Sequence, residues 1–134
     1  MNKELRKELM YNEFNKYLDG SFFPIKIENK RDLVNIMKAL FKLGFTYYKD
    51  DYEFNSNLEE FLCRRFYETP PWTNFVIIVE FYKDRNNSWM LKDYALDYLY
   101  MPLAMKNVVN AKDTMIKLKK ISIKLKNMEK IKKI

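Results

Sequence analysis

A pattern of carboxylates followed by a lysine, between positions 19 and 30, is the first candidate for chemistry. Asp19 and the run Glu28-Asn29-Lys30 loosely match an acid, spacer, acid-x-lysine pattern, in which two carboxylates hold magnesium and the lysine supports the attacking water. Such carboxylates should lie on adjacent strands, whereas Asp19 is predicted to end one helix and the second run to begin another. In the most β-prone segment, Glu80 and Lys83 are three positions apart, so their side chains point to opposite faces of the strand. A metal-dependent nuclease is therefore the third of three functional hypotheses.

Nucleophilic catalysis has little support, because the chain has no histidine and a single cysteine. Cys63 cannot form an internal disulfide, and Arg64 and Arg65 would lower its pKa only if the thiol were exposed. Without a histidine to activate it, Cys63 is predicted to be a buried structural thiol.

Cofactor and cation sites are not indicated either. Asp50, Asp51 and Glu53 cluster in a predicted loop but lack the even spacing and the glycine of an EF-hand. Gly20 and Gly44 are the two glycines of the chain, too few for a glycine-rich phosphate loop. The sequence thus predicts no cofactor, no metal and no enzymatic activity.

The net charge of +7 is concentrated at the C-terminus. From Lys112 to Ile134, nine lysines stand against Asp113 and Glu129, so the rest of the chain is formally neutral. Three interpretations are open for this tail: the solvent-exposed face of a helix that packs on the core, a nucleic-acid contact, or an oligomer interface through Ile116 and Ile123. If the tail binds a partner or nucleic acid, the candidate residues are Lys117, Lys119, Lys120, Lys124, Lys126 and Lys130.

Aromatic residues are the second candidate binding feature, since the chain has ten Phe, ten Tyr and two Trp. Exposed Tyr and Trp contribute strongly to protein interfaces. The alternative is that they line the rim of a small core. The candidates for a partner-binding patch border predicted turns and are Tyr47, Tyr48, Tyr52, Tyr67, Trp72, Tyr82 and Trp89.

The elements that position these residues follow the order α-β-α-β-α-β-β-α. Residues 1–134 are predicted to form a single α+β domain, with a four-stranded, mainly antiparallel sheet, helices packed on it, and a long basic C-terminal helix from about residue 103. Pro24 is expected to start a strand or to lie at a sheet edge. The predicted buried stripes are Leu33, Ile36, Met37, Leu40 and Phe41 in the second helix, Leu58, Phe61, Leu62 and Phe66 in the third, and Val108, Ala111, Met115, Leu118, Ile121, Leu125 and Met128 in the last.

The segment "FPIKIENKRDLVNIMKALFKLGFTYY", residues 23–48, resembles a β-α-β module of short phage-encoded proteins: a strand, a polar cap, a helix ending in leucine-x-x-leucine-glycine, and an aromatic strand. The resemblance covers about residues 22–48. The resemblance implies a small mobile-element protein that binds and blocks host machinery, as anti-CRISPR and other anti-defence inhibitors do. It transfers no functional residue.

These observations lead to an expected function without catalysis. The first hypothesis is a phage-encoded inhibitor in the host cytoplasm, bound to a host protein or ribonucleoprotein complex through surface Tyr and Trp and the basic C-terminal helix. The second is an accessory protein that binds nucleic acid directly through that helix. No apolar run is long enough to cross a membrane, and the sequence leaves open whether the chain forms a homodimer through Ile116 and Ile123.

Overall fold

The computed structural model describes residues 3–15, 22–47, 53–71, 73–80, 89–96 and 108–132. Its elements confirm the α+β class and the C-terminal helix. In chain order they are α1 (Lys3–Phe14), β1 (Phe22–Ile27), α2 (Lys30–Lys42), β2 (Phe45–Tyr47), α3 (Ser56–Glu68), β3 (Asn74–Glu80), β4 (Trp89–Leu96), β5 (Val109–Asn110) and α4 (Ala111–Lys132).

Within the described residues the sheet is mixed and has five strands in the order β2-β4-β3-β1-β5, so the prediction of four mainly antiparallel strands is wrong. β3 pairs antiparallel with both β1 and β4. Each outer strand instead runs parallel to its neighbour, β2 beside β4 and β5 beside β1. The error has a physical cause: a strand of two residues carries no alternation, and parallel pairing joins segments that are distant in sequence.

Pro24 is expected from the sequence to start a strand or to lie at a sheet edge. β1 instead begins two residues earlier, at Phe22, and is an inner strand. Its neighbour β5 pairs only with Ile25 and Lys26, while Pro24 pairs with Ile78 of β3. Pro24 therefore lies just outside the stretch of β1 that has a strand on both sides, where its missing N–H disturbs the ladder least.

The local signals of α2 produce the helix that they predict. The Asn29 side chain accepts a hydrogen bond from the backbone N–H of Asp32 at 2.8 Å, and Gly44 follows the helix at φ 92°, a conformation that favours glycine. The stripe Leu33, Ile36, Met37 and Leu40 is fully buried, while Phe41 is half-buried.

The last helix begins at Ala111 rather than at about residue 103, and residues 101–107 lie outside the described part of the chain. Asn110 explains this start, because its side chain accepts from the backbone N–H of Asp113 at 2.8 Å and donates to the Asp113 carboxylate at 3.1 Å. The predicted burial of Met128 is wrong, since it is exposed. The residues of α4 that are buried are Ala111, Thr114, Leu118, Ile121 and Leu125.

Arg6 of α1 is buried although its residue type is usually exposed. Its guanidinium donates a hydrogen bond to the Leu43 carbonyl and lies 4.8 Å from the centroid of the Phe45 ring. Burial lowers the pKa of this guanidinium to about 10. The cation therefore links α1 to the end of α2 at a cost in desolvation.

This lowered pKa predicts an alkaline pH dependence of stability. Above pH 10 the folded protein releases the Arg6 proton before the unfolded chain does, so the unfolded state binds more protons and the arginine-dependent part of the stability rises with pH. We expect the free energy of unfolding of the wild type, minus that of Arg6→Met, to rise by about 1 kcal/mol per pH unit above pH 10. Urea unfolding of both proteins at several alkaline pH values measures this difference. Contributions from lysine and tyrosine side chains are common to the two proteins and cancel in the subtraction. A constant difference would contradict it.

Candidate functional site

The C-terminal helix α4 has two sides with different roles. One side is buried in the core through Leu118, Ile121 and Leu125. On the opposite side, Ile116 and Ile123 are 48% and 51% exposed, seven residues apart and so on one face of the helix. The tail is therefore a packing helix whose outer side carries two isoleucines among lysines.

Two of the six candidate lysines contact α1. The ammonium group of Lys124 lies 3.3 Å from a carboxylate oxygen of Glu13, and that of Lys117 lies 5.8 Å from the centroid of the Phe14 ring. These two side chains hold α4 against α1, which makes them poor candidates for a partner surface.

The other four candidates, Lys119, Lys120, Lys126 and Lys130, are exposed, and within the described residues none of them forms an ion pair. They surround Ile116 and Ile123 on the helix surface, because residues three and four apart are neighbours on a helix. The outer side of α4 is thus basic around an apolar centre.

α2 extends this basic region, which the sequence reasoning missed. Lys42 of α2 and Lys119 of α4 line one shared groove, so the exposed sides of the two helices adjoin. Lys38 lies one turn before Lys42 and is also exposed. The signal was present in the sequence as the polar side of the α2 stripe, but the formal neutrality of residues 1–111 concealed it. We call the whole region the α2/α4 basic surface; it comprises Lys38, Lys42, Lys112, Lys119, Lys120, Lys126 and Lys130.

The described residues do not bring the predicted aromatic side chains together on one surface. Tyr47 is 2% exposed and belongs to the core, where β2 packs beside α2, so its side chain is not available on the surface. Tyr48, Tyr52, Trp72 and Tyr82 lie outside the described residues. Trp89 begins β4 opposite Phe45, and its side chain is outside the description.

Among the described residues, the exposed aromatics lie on α3. Tyr67 is 70% and Phe61 is 44% exposed, and the Arg65 guanidinium lies 6.0 Å from the centroid of the Phe61 ring. The predicted burial of Phe61 is wrong, because Leu58, Leu62 and Cys63 form the buried side of α3.

The carboxylates of the nuclease hypothesis do not come together. Glu28 follows β1 at the end where Ile27 pairs with Phe75, whereas Glu80 pairs with Phe22 at the other end. Six residues of extended chain separate these positions, roughly 20 Å. Glu28 lies 3.5 Å from the ammonium group of Lys26, and Asp19 lies outside the described residues.

The acidic loop predicted from the sequence lies largely outside the described residues, as do Asp50 and Asp51. Of its three carboxylates only Glu53 is described, and it is exposed. Among the described residues, no three Asp, Glu or Cys side chains are placed to share a metal ion.

Cys63 is a buried free thiol, as predicted. Burial raises its pKa, and the nearby Lys30 opposes this rise without cancelling it. A thiol that is both covered and protonated is a poor nucleophile.

This burial predicts slow chemical modification. We expect the folded protein to react with Ellman's reagent at neutral pH about tenfold or more slowly than the protein unfolded in guanidinium chloride, since the thiolate is the reacting species. Absorbance of the released thiol measures both rates. Equal rates would show that Cys63 is accessible in the folded protein.

The chain matches no protein-family model, no curated protein and no solved structure. Within the described residues, no helix has the length and apolar character needed to span a bilayer.

Proposed function

We propose that this protein is a non-enzymatic inhibitor of the mobile-element type, which docks on a host ribonucleoprotein complex in the cytoplasm through the α2/α4 basic surface. The observation that carries this proposal is the convergence of exposed cations from two helices on one groove, with Lys42 on one side and Lys119 on the other. Surface cations of one sign attract negatively charged partners and accelerate the encounter.

The rigidity of this surface supports a docking role. Leu118, Ile121 and Leu125 fix α4 in the core, and the Lys124–Glu13 ion pair ties it to α1. Cations on a fixed helix lose less conformational freedom on binding than those on a disordered tail. More of the interaction energy therefore remains for affinity.

The exposed isoleucines support a partner with a protein component. Ile116 and Ile123 present aliphatic surface among lysines, and phosphate contacts would leave that surface unburied. A protein surface that is both acidic and apolar would cover the isoleucines and pair with the lysines. A second copy of the chain fits less well, because pairing two such helices would bring lysines against lysines.

Titration of guide-RNA-loaded bacterial nucleases tests the proposal. Target-DNA cleavage by a panel of such complexes is measured against increasing amounts of this protein. We expect inhibition of a member of the panel to be complete near equimolar protein, without turnover. The double variant Lys119→Glu/Lys126→Glu should need about 100-fold more protein, since each lost charge contact costs about tenfold.

Arg64→Glu is the matched control. It reverses a charge that is 63% exposed on α3, away from the α2/α4 basic surface, and should inhibit as the wild type does. Equal losses in the control and the double variant, or no inhibition at large excess across the panel, would overturn the proposal.

A nucleic-acid-binding accessory protein is the second candidate, favoured by the lysines of α4 that have no ion-pair partner within the described residues. We expect this function to appear as binding of fluorescent duplex DNA or RNA whose log affinity falls linearly with log salt. Lys119→Gln should reduce the slope by about 1. A slope unchanged by this substitution, or no binding at low salt, would contradict direct recognition by α4.

A further inference from the structure

An apolar groove runs between α2 and α4 inside the basic surface. Its volume is about 340 Å³, and it is open to solvent. This volume lies at the lower end of the range for ligand sites, about 300–1,000 Å³, and accommodates one or two side chains. The lining residues are Ala39, Lys42, Leu43, Met115, Ile116, Leu118, Lys119 and Ser122.

The charges around the groove are all positive. Lys42 and Lys119 lie on its two sides, and no carboxylate is among its lining residues. The C-terminal end of α2 would ordinarily place partial negative charge here. The buried Arg6 guanidinium donates to the Leu43 carbonyl and so offsets that charge. The groove is therefore apolar in its floor and cationic at its rim.

We propose that this groove binds an acidic segment of a partner protein, which inserts an aliphatic side chain between α2 and α4 and places carboxylates beside Lys42 and Lys119. The inference rests on the proposed function for the origin of the segment and on charge complementarity for its chemistry. Ile116 extends the apolar contact to the outer side of α4, where it is half exposed.

Other occupants fit the groove less well. A nucleic-acid base stacks on aromatic side chains, and none lines this groove. A second copy of α4 would place lysines beside Lys42 and Lys119, which repels. An acidic peptide with an apolar residue satisfies both the floor and the rim.

Peptide binding to the full chain tests the inference with three matched probes. The first is a short fluorescein-labelled glutamate peptide with a central leucine. The second replaces the leucine by asparagine, and the third replaces the glutamates by glutamine. We expect fluorescence anisotropy to show the tightest binding for the first peptide, with both replacements weakening affinity by about fivefold or more.

Four variants locate the site on the protein. Ile116→Ser and Lys119→Gln change residues that line the groove, whereas Phe61→Ser and Arg64→Gln change exposed residues of α3 that lie outside the α2/α4 basic surface and do not line the groove. The first pair should each weaken leucine-peptide binding by about fivefold, and the second pair by less than about twofold. Circular dichroism confirms that all four variants fold.

Any one of four outcomes would overturn the inference. Equal effects from both pairs of variants, or equal affinity for the leucine and asparagine peptides, would show that only diffuse charge acts. Tighter binding of an RNA oligonucleotide, lost in Ile116→Ser, would make nucleic acid the occupant, and dimerisation lost in that variant would make it a second copy. Failure of every nuclease titration while the peptide results hold would remove the proposed function and leave the groove site standing.

Discussion

Replacing Ile121 by alanine should destabilise the protein by about 3–4 kcal/mol, the usual cost of truncating a fully buried isoleucine. Ile121 is 0% exposed and lies with Leu118 and Leu125 on the core side of α4. Its loss removes apolar contacts and leaves a cavity beneath a helix that the surrounding structure holds in place. Urea unfolding followed by circular dichroism measures the change.

Ile123→Ala is the matched control, two positions away and 51% exposed. It should cost less than about 0.5 kcal/mol, the usual range for a surface substitution. If the two variants were equally stable, α4 would not be packed on the core, and the lysine tail would have to be regarded as a detached basic arm.

Replacing Phe14 by alanine should cost about 3–5 kcal/mol, because its ring is fully buried where α1 meets the sheet. The ring stacks on Phe23 of β1, with centroids 4.3 Å apart and planes inclined by 12°. Lys117 of α4 approaches the same ring at 5.8 Å. One substitution therefore weakens the contact of α1 with two other elements.

Thermal and urea unfolding of Phe14→Ala provide the measurement, and Phe61→Ala is the control. Phe61 is 44% exposed on α3, so its truncation should cost about 1 kcal/mol or less. Since domains of this size are stable by about 5–15 kcal/mol, the Phe14 variant should be partly unfolded at elevated temperature. Near-identical transitions for Phe14→Ala and the wild type would show that the Phe14 ring does not join α1 to the core.

Elements defined by local signals were predictable from the sequence. α2 combines an asparagine cap, a stripe at helical spacing and a terminal glycine, and these signals act within a few residues of chain. The same reasoning identified β3 and the buried side of α4, where Leu118, Ile121 and Leu125 were predicted correctly.

Features defined by distant contacts were not predictable. β5 is two residues long and exists only because β1 lies beside it. Arg6 is buried because its guanidinium reaches the Leu43 carbonyl, 37 positions along the chain. Phe61 is exposed because Cys63 takes the inward position on α3. Each outcome depends on which surfaces meet, which a periodic pattern does not encode.

The residues of the candidate site were also predictable only where local sequence decides their exposure. The exposed lysines of α4 follow from the sequence, but Lys42 joins them only because α2 packs beside α4. Tyr47, a predicted contact residue, is buried because β2 belongs to the sheet and contributes to the core.

The shortness of the outermost strands has a consequence for behaviour at high concentration. Among the described residues β2 has three residues and β5 has two. Because β2 pairs only with the first three residues of β4, the part of β4 from Lys92 to Leu96 has no strand beside it on that border. Long exposed borders invite intermolecular strand addition and aggregation. On the other border, the part of β1 that β5 does not cover among the described residues contains Pro24, which has no N–H to donate. If another chain adds to this sheet at high concentration, we therefore expect it to pair with Lys92–Leu96 of β4 rather than with β1.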